Sequence, residues 1–268
     1  YGGVVGTPVI SDINNDGNQE IIVGINCVYI LDHTGNIINI LPNNCPNNND
    51  EEKNNIPFWQ STMTLVDLDD DDKLEIIAPW GTSFTSKIFV WKSDGTNYKN
   101  WPQDIQNDDN GGNFIIPSVV VGDIDKDNDL ELVAYYMDLK KYGGTFDSSS
   151  SPSYIYAWKS DGKLEDGFPI NLGIKDQGSP PILADLDNDG NLEIGFGNKF
   201  YDSRGGMVQF IYKNGSSVDG WPYKTDKQIS FNSMAIGDLD SSGNLNVVFG
   251  DIRGWFLNSS IYVLNKDG

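Results

Sequence analysis

Five stretches of nine residues place oxygen-bearing side chains at the same four positions. Positions 1, 3, 5 and 9 are Asp12, Asn14, Asp16 and Glu20 in the first, and Asp67, Asp69, Asp71 and Glu75 in the second. The third has Asp123, Asp125, Asp127 and Glu131, and the fourth Asp185, Asp187, Asp189 and Glu193. A weaker fifth copy has Asp238, Asp240, Ser242 and Asn246. Hard oxygen donors at this density suit a calcium ion, which takes roughly six to eight oxygen ligands; magnesium prefers octahedral geometry and retains several waters. Position 7 is Asn18, Lys73, Asp129, Asn191 or Asn244. A position that accepts lysine is expected to give its backbone carbonyl, as position 7 of an EF-hand loop does. Position 6 is Gly17, Asp72, Asn128, Gly190 or Gly243, residue types that take positive φ at low cost where a loop turns around an ion.

The loops must be held by regular elements, because their starts lie 55, 56, 62 and 53 residues apart, a repeat of supersecondary size. Short apolar runs precede each loop (Val9-Ile10, Leu65-Val66, Val119 to Val121, Ile182-Leu183, Ala235-Ile236) and follow it (Ile21 to Val23, Ile76 to Ala78, Leu132 to Ala134, Ile194 to Phe196, Val247 to Phe249). They are of strand length and rich in β-branched residues, and no amphipathic helical window is present. An EF-hand would need flanking helices and an acid at position 12, so each loop is expected to join two antiparallel strands instead. A third strand in each repeat (Val28 to Leu31, Ile88 to Trp91, Ile155 to Trp158, Val208 to Ile211, Ile261 to Leu264) runs into Thr34-Gly35, Asp94-Gly95, Asp161-Gly162, Asn214-Gly215 or Asp267-Gly268, strong hairpin signals because both central residues of the favoured turn are expected to need positive φ. Seven residues past the first four of these glycines stand Pro42, Pro102, Pro169 and Pro222, which predict an outer edge strand because proline cannot donate to a ladder. The residue before the loop is small in four copies (Ser11, Gly122, Ala184, Gly237), as expected where inner strands converge. Four antiparallel strands, repeated radially, predict an all-β fold: a β-propeller of four-stranded blades, with repeats at about 1–57, 58–113, 114–176, 177–228 and 229–268 in one domain. The last repeat lacks its outer strand. The ring is therefore expected either to have five blades, one of them three-stranded, or to be part of a six- to eight-bladed ring.

With acids at positions 1, 3, 5 and 9 between two strands, the chain resembles the FG-GAP/VCBS repeat propellers, which include the head of integrin α subunits and many secreted bacterial and archaeal proteins. The resemblance spans essentially all 268 residues. It implies a calcium-braced binding scaffold more firmly than any one ligand, because the family is a fold with many uses. Four calcium sites are expected. The fifth loop departs from the pattern, since Ser242 and Asn246 replace two acids and lower the charge available to a dication.

The formal net charge of −21 is carried in large part by carboxylates at these loop positions, which repel one another without a cation. Loops of this class fill where free calcium is high, which points to an extracellular location, secreted or on the cell surface. An acidic chain without a basic stripe excludes nucleic acid as a partner. No apolar run approaches the roughly 20 residues needed to span a bilayer, and no signal peptide is visible, so the sequence reads as a mature product or an excerpt of a longer one. Cys27 and Cys45 are the only cysteines and either form a disulfide that tethers the Asn-rich loop or stay as two thiols. His33, the only histidine, falls in a hairpin turn where Ser93 and Ser160 stand in other repeats, so it reads as a surface residue. With His33 in that turn, a Ser-His-Asp or Cys-His device has no other histidine to use.

Function is expected where the repeats differ. The metal loops and the hairpin turns share one face of the disc, while the loops between strands 2 and 3 lie on the other and gather aromatics: Trp80 and Phe84, Tyr142 and Phe146, Phe200 and Tyr201, Trp255 and Phe256, with Arg204 and Arg253. Phe58 and Trp59 sit on a linking segment nearby. Exposed aromatics with a few arginines suit sugar rings or a protein hot spot. Trp91, Trp101, Trp158 and Trp221, which recur in register, are expected in the core. The sequence thus predicts a recognition or adhesion module for carbohydrate or protein with structural calcium. Its rivals are a polysaccharide lyase on a similar fold, for which no converging catalytic pair is visible, and a spacer in a surface layer, filament or secreted assembly.

Overall fold

The computed structural model describes residues 7–25, 27–43, 45, 62–81, 86–105, 111–142, 145–147, 152–173, 178–199, 205–229, 234–251 and 259–268; at 81, 111–117, 138–142, 145–147 and 199 only the backbone is described. The chain divides into two compact units, Tyr1–Val119 with Ser160–Lys163, and Val120–Lys159 with Leu164–Gly268. All regular structure among the described residues is β.

The first unit holds two sheets of four antiparallel strands, each in chain order. One is β1 (Val9–Ser11), β2 (Glu20–Gly24), β3 (Val28–Leu31) and β4 (Ile37–Leu41); the other is β5 (Thr64–Val66), β6 (Glu75–Gly81), β7 (Ser86–Trp91) and β8 (Gln103–Ile105). The third sheet is built on the long β10 (Glu131–Tyr142), which pairs with β9 (Gly111–Gly122), with a short extra strand β11 (Thr145–Asp147) and with β12 (Ser153–Lys159), followed by β13 (Ile170–Asn171). The second unit continues with β14 (Ile182–Ala184), β15 (Glu193–Lys199), β16 (Gly206–Ile211) and β17 (Tyr223–Thr225). It ends in a three-stranded sheet of β18 (Ala235–Gly237), β19 (Asn246–Gly250) and β20 (Ile261–Leu264).

Alternation in the second and third strands, Ile22 and Ile30 inward for example, gives each sheet a buried face, and within each unit such faces pack together. In the first unit Ile13, Ile22, Val28, Ile30 and Leu41 form one cluster with Met63, Ile76, Ala78 and Trp91. In the second, Ala184, Leu186, Val208, Phe210 and Trp221 pack with Met234, Val247 and Phe249. Trp91, Trp101, Trp158 and Trp221 are all buried. Two of them also hold the next repeat's hairpin turn: the Trp101 indole N–H donates to the Ser160 carbonyl at 3.0 Å, and Trp221 to the Lys266 carbonyl at 2.9 Å.

Two local expectations change. The hairpin turns do not need positive φ at both central residues; Gly35, Gly95, Gly162, Gly215 and Gly268 take it alone. The Asp or Asn before glycine instead accepts a hydrogen bond two residues on, as Asp94 does from the Thr96 N–H at 2.9 Å, so its side chain supplies the turn. The outer strand includes no proline either. Pro42 follows β4, while Pro102, Pro169 and Pro222 precede β8, β13 and β17, outside the ladder that proline cannot join. Convergence of the inner strands is visible at Gly122, where a Cβ would lie 2.7 Å from Leu192 and 2.9 Å from Leu183 of the following sheet.

Candidate metal centre

Four of the acidic loops close a hairpin whose last strand pair joins position 9 to the residue before position 1: Ser11 with Glu20, Val66 with Glu75, Ala184 with Glu193, and Gly237 with Asn246. Inside the loop three hydrogen bonds recur. The position 6 N–H donates to the position 1 carboxylate, at 2.8 to 3.0 Å from Gly17, Asp72, Asn128, Gly190 and Gly243. The position 2 N–H donates to the position 9 side chain, at 2.7 to 3.1 Å from Ile13, Leu68, Ile124, Leu186 and Leu239. The position 7 N–H donates to the position 5 side chain, at 2.6 to 3.2 Å from Asn18, Lys73, Asp129, Asn191 and Asn244. Position 6 has positive φ in all five, as expected from its residue types. Position 4 does too, at Asn15, Asp70, Lys126, Asn188 and Ser241, although lysine and serine gain nothing locally from it.

These bonds turn the acids toward one another. Asp67, Asp69 and Asp71 offer oxygens within 4.8 Å of each other, as do Asp123, Asp125 and Asp127, and Asp185, Asp187 and Glu193, so three groups could hold a metal ion. Asp16, Glu20 and Asp12 of the first loop and Asp238 and Asp240 of the fifth form no such triad among the described residues, because Asn14, Ser242 and Asn246 hold the other places. Asn18, Lys73, Asp129, Asn191 and Asn244 sit at position 7 with their N–H groups turned to position 5.

The donor set fits a cation by a further observation. Glu131 and Glu193 are wholly buried; each gives one oxygen to a position 2 amide, while its other oxygen, Oε1, has no hydrogen-bond partner. Asp125 Oδ1 and Asp185 Oδ1 are likewise buried without a partner. Burial, with repulsion from the loop aspartates added, pushes Glu75, Glu131 and Glu193 up to about 7 against the pull of the position 2 amide. Glu20 is raised for the same reasons. A hard cation among these oxygens would meet the unpartnered atoms and offset the repulsion.

Residues beyond the motif also reach the loops. At the end of the third strand, next after Trp91, Trp158 and Ile211, stand Lys92, Lys159 and Tyr212 in three repeats. Lys92 Nζ lies 3.8 Å from Asp69, Lys159 Nζ 3.2 Å from Asp127, and the Tyr212 hydroxyl donates to Asp187 at 3.1 Å. Lys213 pairs with Asp125, and with Glu165 at 2.8 Å; Lys159 lies 3.2 Å from the other oxygen of Glu165. Glu165 is buried, which raises its pKa, but Lys213 and Lys159 outweigh that and hold it low. Sequence reasoning passed over these residues because they carry no motif. For Lys92, Lys159 and Tyr212 the common place at the end of strand 3 is the signal that would have found them. A cleft of about 610 Å³ opens here, lined by Asp125, Asp166, Asn191, Glu193, Tyr212 and Lys213 among others.

Of the residues expected to recognise a ligand, Trp80 is half-buried, sits edge-on to Phe89 at 6.1 Å and packs on the core of the first unit. Tyr142 and Phe146 lie on the β10–β11 hairpin, where Tyr142 pairs with Thr145, and their side chains are outside the described residues. Phe84, Phe200, Tyr201, Arg204, Arg253, Trp255, Phe256, Phe58 and Trp59 are also outside the described residues. Cys27 and Cys45 form a disulfide, their Cα atoms 6.0 Å apart. His33 is exposed in its turn.

Fold and site together define an all-β protein of repeated antiparallel sheets carrying acidic loops, three of which could hold a metal ion. No protein-family model matches the chain, and no curated protein matches it. No helix among the described residues is long and apolar enough to cross a membrane.

Proposed function

We propose that this chain is a calcium-braced β-propeller of the FG-GAP/VCBS kind, secreted or held at a cell surface, that serves as a recognition or adhesion module for carbohydrate or protein. The observation that carries the reading is the pair of wholly buried glutamates, Glu131 and Glu193, whose Oε1 atoms lack any partner inside loops that already gather aspartates. Oxygen donors of this number and hardness favour calcium over magnesium or a transition metal. The disulfide in the first sheet is compatible with an oxidising, extracellular setting.

In each sheet the metal loop and the hairpin turn stand at one end of the strands, and the connection between strands 2 and 3 at the other. Calcium on this reading holds the framework, and the ligand meets the opposite ends, where Phe84, Tyr142, Phe146, Tyr201, Arg204, Arg253 and Trp255 cluster in the sequence. A glycan array and a pulldown from extracellular material, each run with calcium and with chelator, test it. The reading expects a ligand retained in calcium and lost when Arg204 and Trp255 are replaced by alanine. Absence of binding in both formats would overturn the recognition reading.

A further inference from the structure

The third acidic loop differs from the fourth in what already stands beside its carboxylates. Lys213 pairs with the position 3 acid, Asp125, and Lys159 lies 3.2 Å from the position 5 acid, Asp127. Buried Glu165 joins the two ammonium groups through its two oxygens, at 2.8 and 3.2 Å. In the fourth loop the corresponding neighbour is a neutral hydroxyl, Tyr212 on Asp187; Lys126 donates to the backbone carbonyl of Asp189 and its charge reaches the Asp189 carboxylate only through space, without the direct ion pair that Lys213 and Lys159 make in the third loop. Both loops offer the same four acids and the same kind of unpartnered, buried position 9 oxygen. The difference between them is therefore one of counter-charge.

We propose that Lys213, supported by Lys159, is a built-in counter-cation of the third loop, so that calcium enters only by displacing the Lys213 ammonium and this loop fills at higher calcium than the fourth. The proposal rests on the calcium reading above. Two cations cannot share the Asp125 carboxylate at close range without strong repulsion, so occupancy by one weakens the other. The displaced ammonium has somewhere to go. Lys213 borders the cleft of about 610 Å³, whose lining includes Asp166, an acid outside the loop, along with Asn191 and Asn214. Glu165, within reach of both lysines, keeps a partner in Lys159 when Lys213 leaves. Lys213 is thus a residue that sets the calcium range of one site without being a ligand of it.

The test is a calcium titration of the whole chain followed by the backbone amide signals of Asn128 and Gly190, the position 6 groups that donate to Asp123 and Asp185. Each signal reports one loop. In the wild type, Asn128 is expected to reach its midpoint at higher calcium than Gly190. Lys213→Met should lower the Asn128 midpoint by about tenfold, the weight of a partly buried ion pair, and leave Gly190 in place, while Lys213→Arg should keep the wild-type order. If Lys213→Met gives no folded spectrum, Lys159→Met carries the same comparison, with a smaller shift in the same direction. Titration of both signals together in the wild type, or an unmoved Asn128 midpoint in the lysine variants, overturns the counter-cation. If neither signal responds to calcium at all, the calcium reading falls first and the counter-cation with it.

Discussion

Position 2 of the acidic loop offers a prediction in which truncating one residue type at one motif position costs much in one repeat and little in the next. Leu186 in the fourth loop is 1% exposed and packs among Ala184, Val208, Phe210, Trp221, Met234 and Phe249. Leu239 in the fifth is 61% exposed. Truncating a fully buried leucine removes its transfer free energy and leaves a cavity, at about 2–5 kcal/mol, and the aromatic walls around Leu186 are too rigid to collapse into the gap. Leu186→Ala is therefore expected to cost about 3 kcal/mol and Leu239→Ala less than about 0.5 kcal/mol. For a chain of this size the first figure corresponds to roughly 6–12 °C in melting temperature. Urea unfolding at one fixed, saturating calcium concentration measures both, so that any change in metal affinity does not enter. The position 2 amide still donates to position 9 in both variants, which isolates the side chain. Equal losses in the two variants, or a loss below about 1 kcal/mol at Leu186, would refute the reasoning.

Asp251 is buried and accepts from the Ser260 N–H at 2.6 Å and the Tyr262 hydroxyl at 2.8 Å, with Lys227 3.5 Å away. Burial alone would raise its pKa, but these partners hold it below the ordinary range. Its stabilisation is present above the unfolded value and is lost as pH falls through the lowered one. Asp251→Asn should thus cost about 3 kcal/mol at neutral pH, and the gap from wild type should close only below about pH 4; a gap that closes on raising the pH instead contradicts the assignment. Cys27 and Cys45 are separated by 18 residues in sequence, and closing a loop of that length in the unfolded chain is worth about 3 kcal/mol. Reduction with verified thiol release should lower stability by that order, and an unchanged urea midpoint would show that the bridge constrains nothing.

Much of the local architecture was legible because it rests on periodicities that a single sequence displays. Apolar runs on either side of Asp12, Asp67, Asp123, Asp185 and Asp238 became paired strands, and glycine or its substitutes at position 6 took positive φ. The four tryptophans that recur in register, Trp91, Trp101, Trp158 and Trp221, became core. Effects that depend on the neighbouring sheet were not legible. Nothing in the nine residues separates buried Leu186 from exposed Leu239, because the packing partner is supplied some fifty residues away. Nor does the motif announce Lys213 or Glu165, whose reach to Asp125 and Lys159 exists only after two hairpins are stacked. Trp80 stood among the recognition aromatics in the sequence, and its contact with Phe89 places it against the core.

The claim on which the rest depends is that calcium braces the framework. Its direct test is the melting temperature of the whole chain in chelator and after calcium is restored, with metal content verified at each step. A ligand that binds only the folded state adds about 2 kcal/mol per site when its free concentration is some thirtyfold above Kd. Filling the three acid triads should then raise the melting temperature by on the order of 10–20 °C, reversibly. An identical melting curve with and without verified calcium would contradict the account.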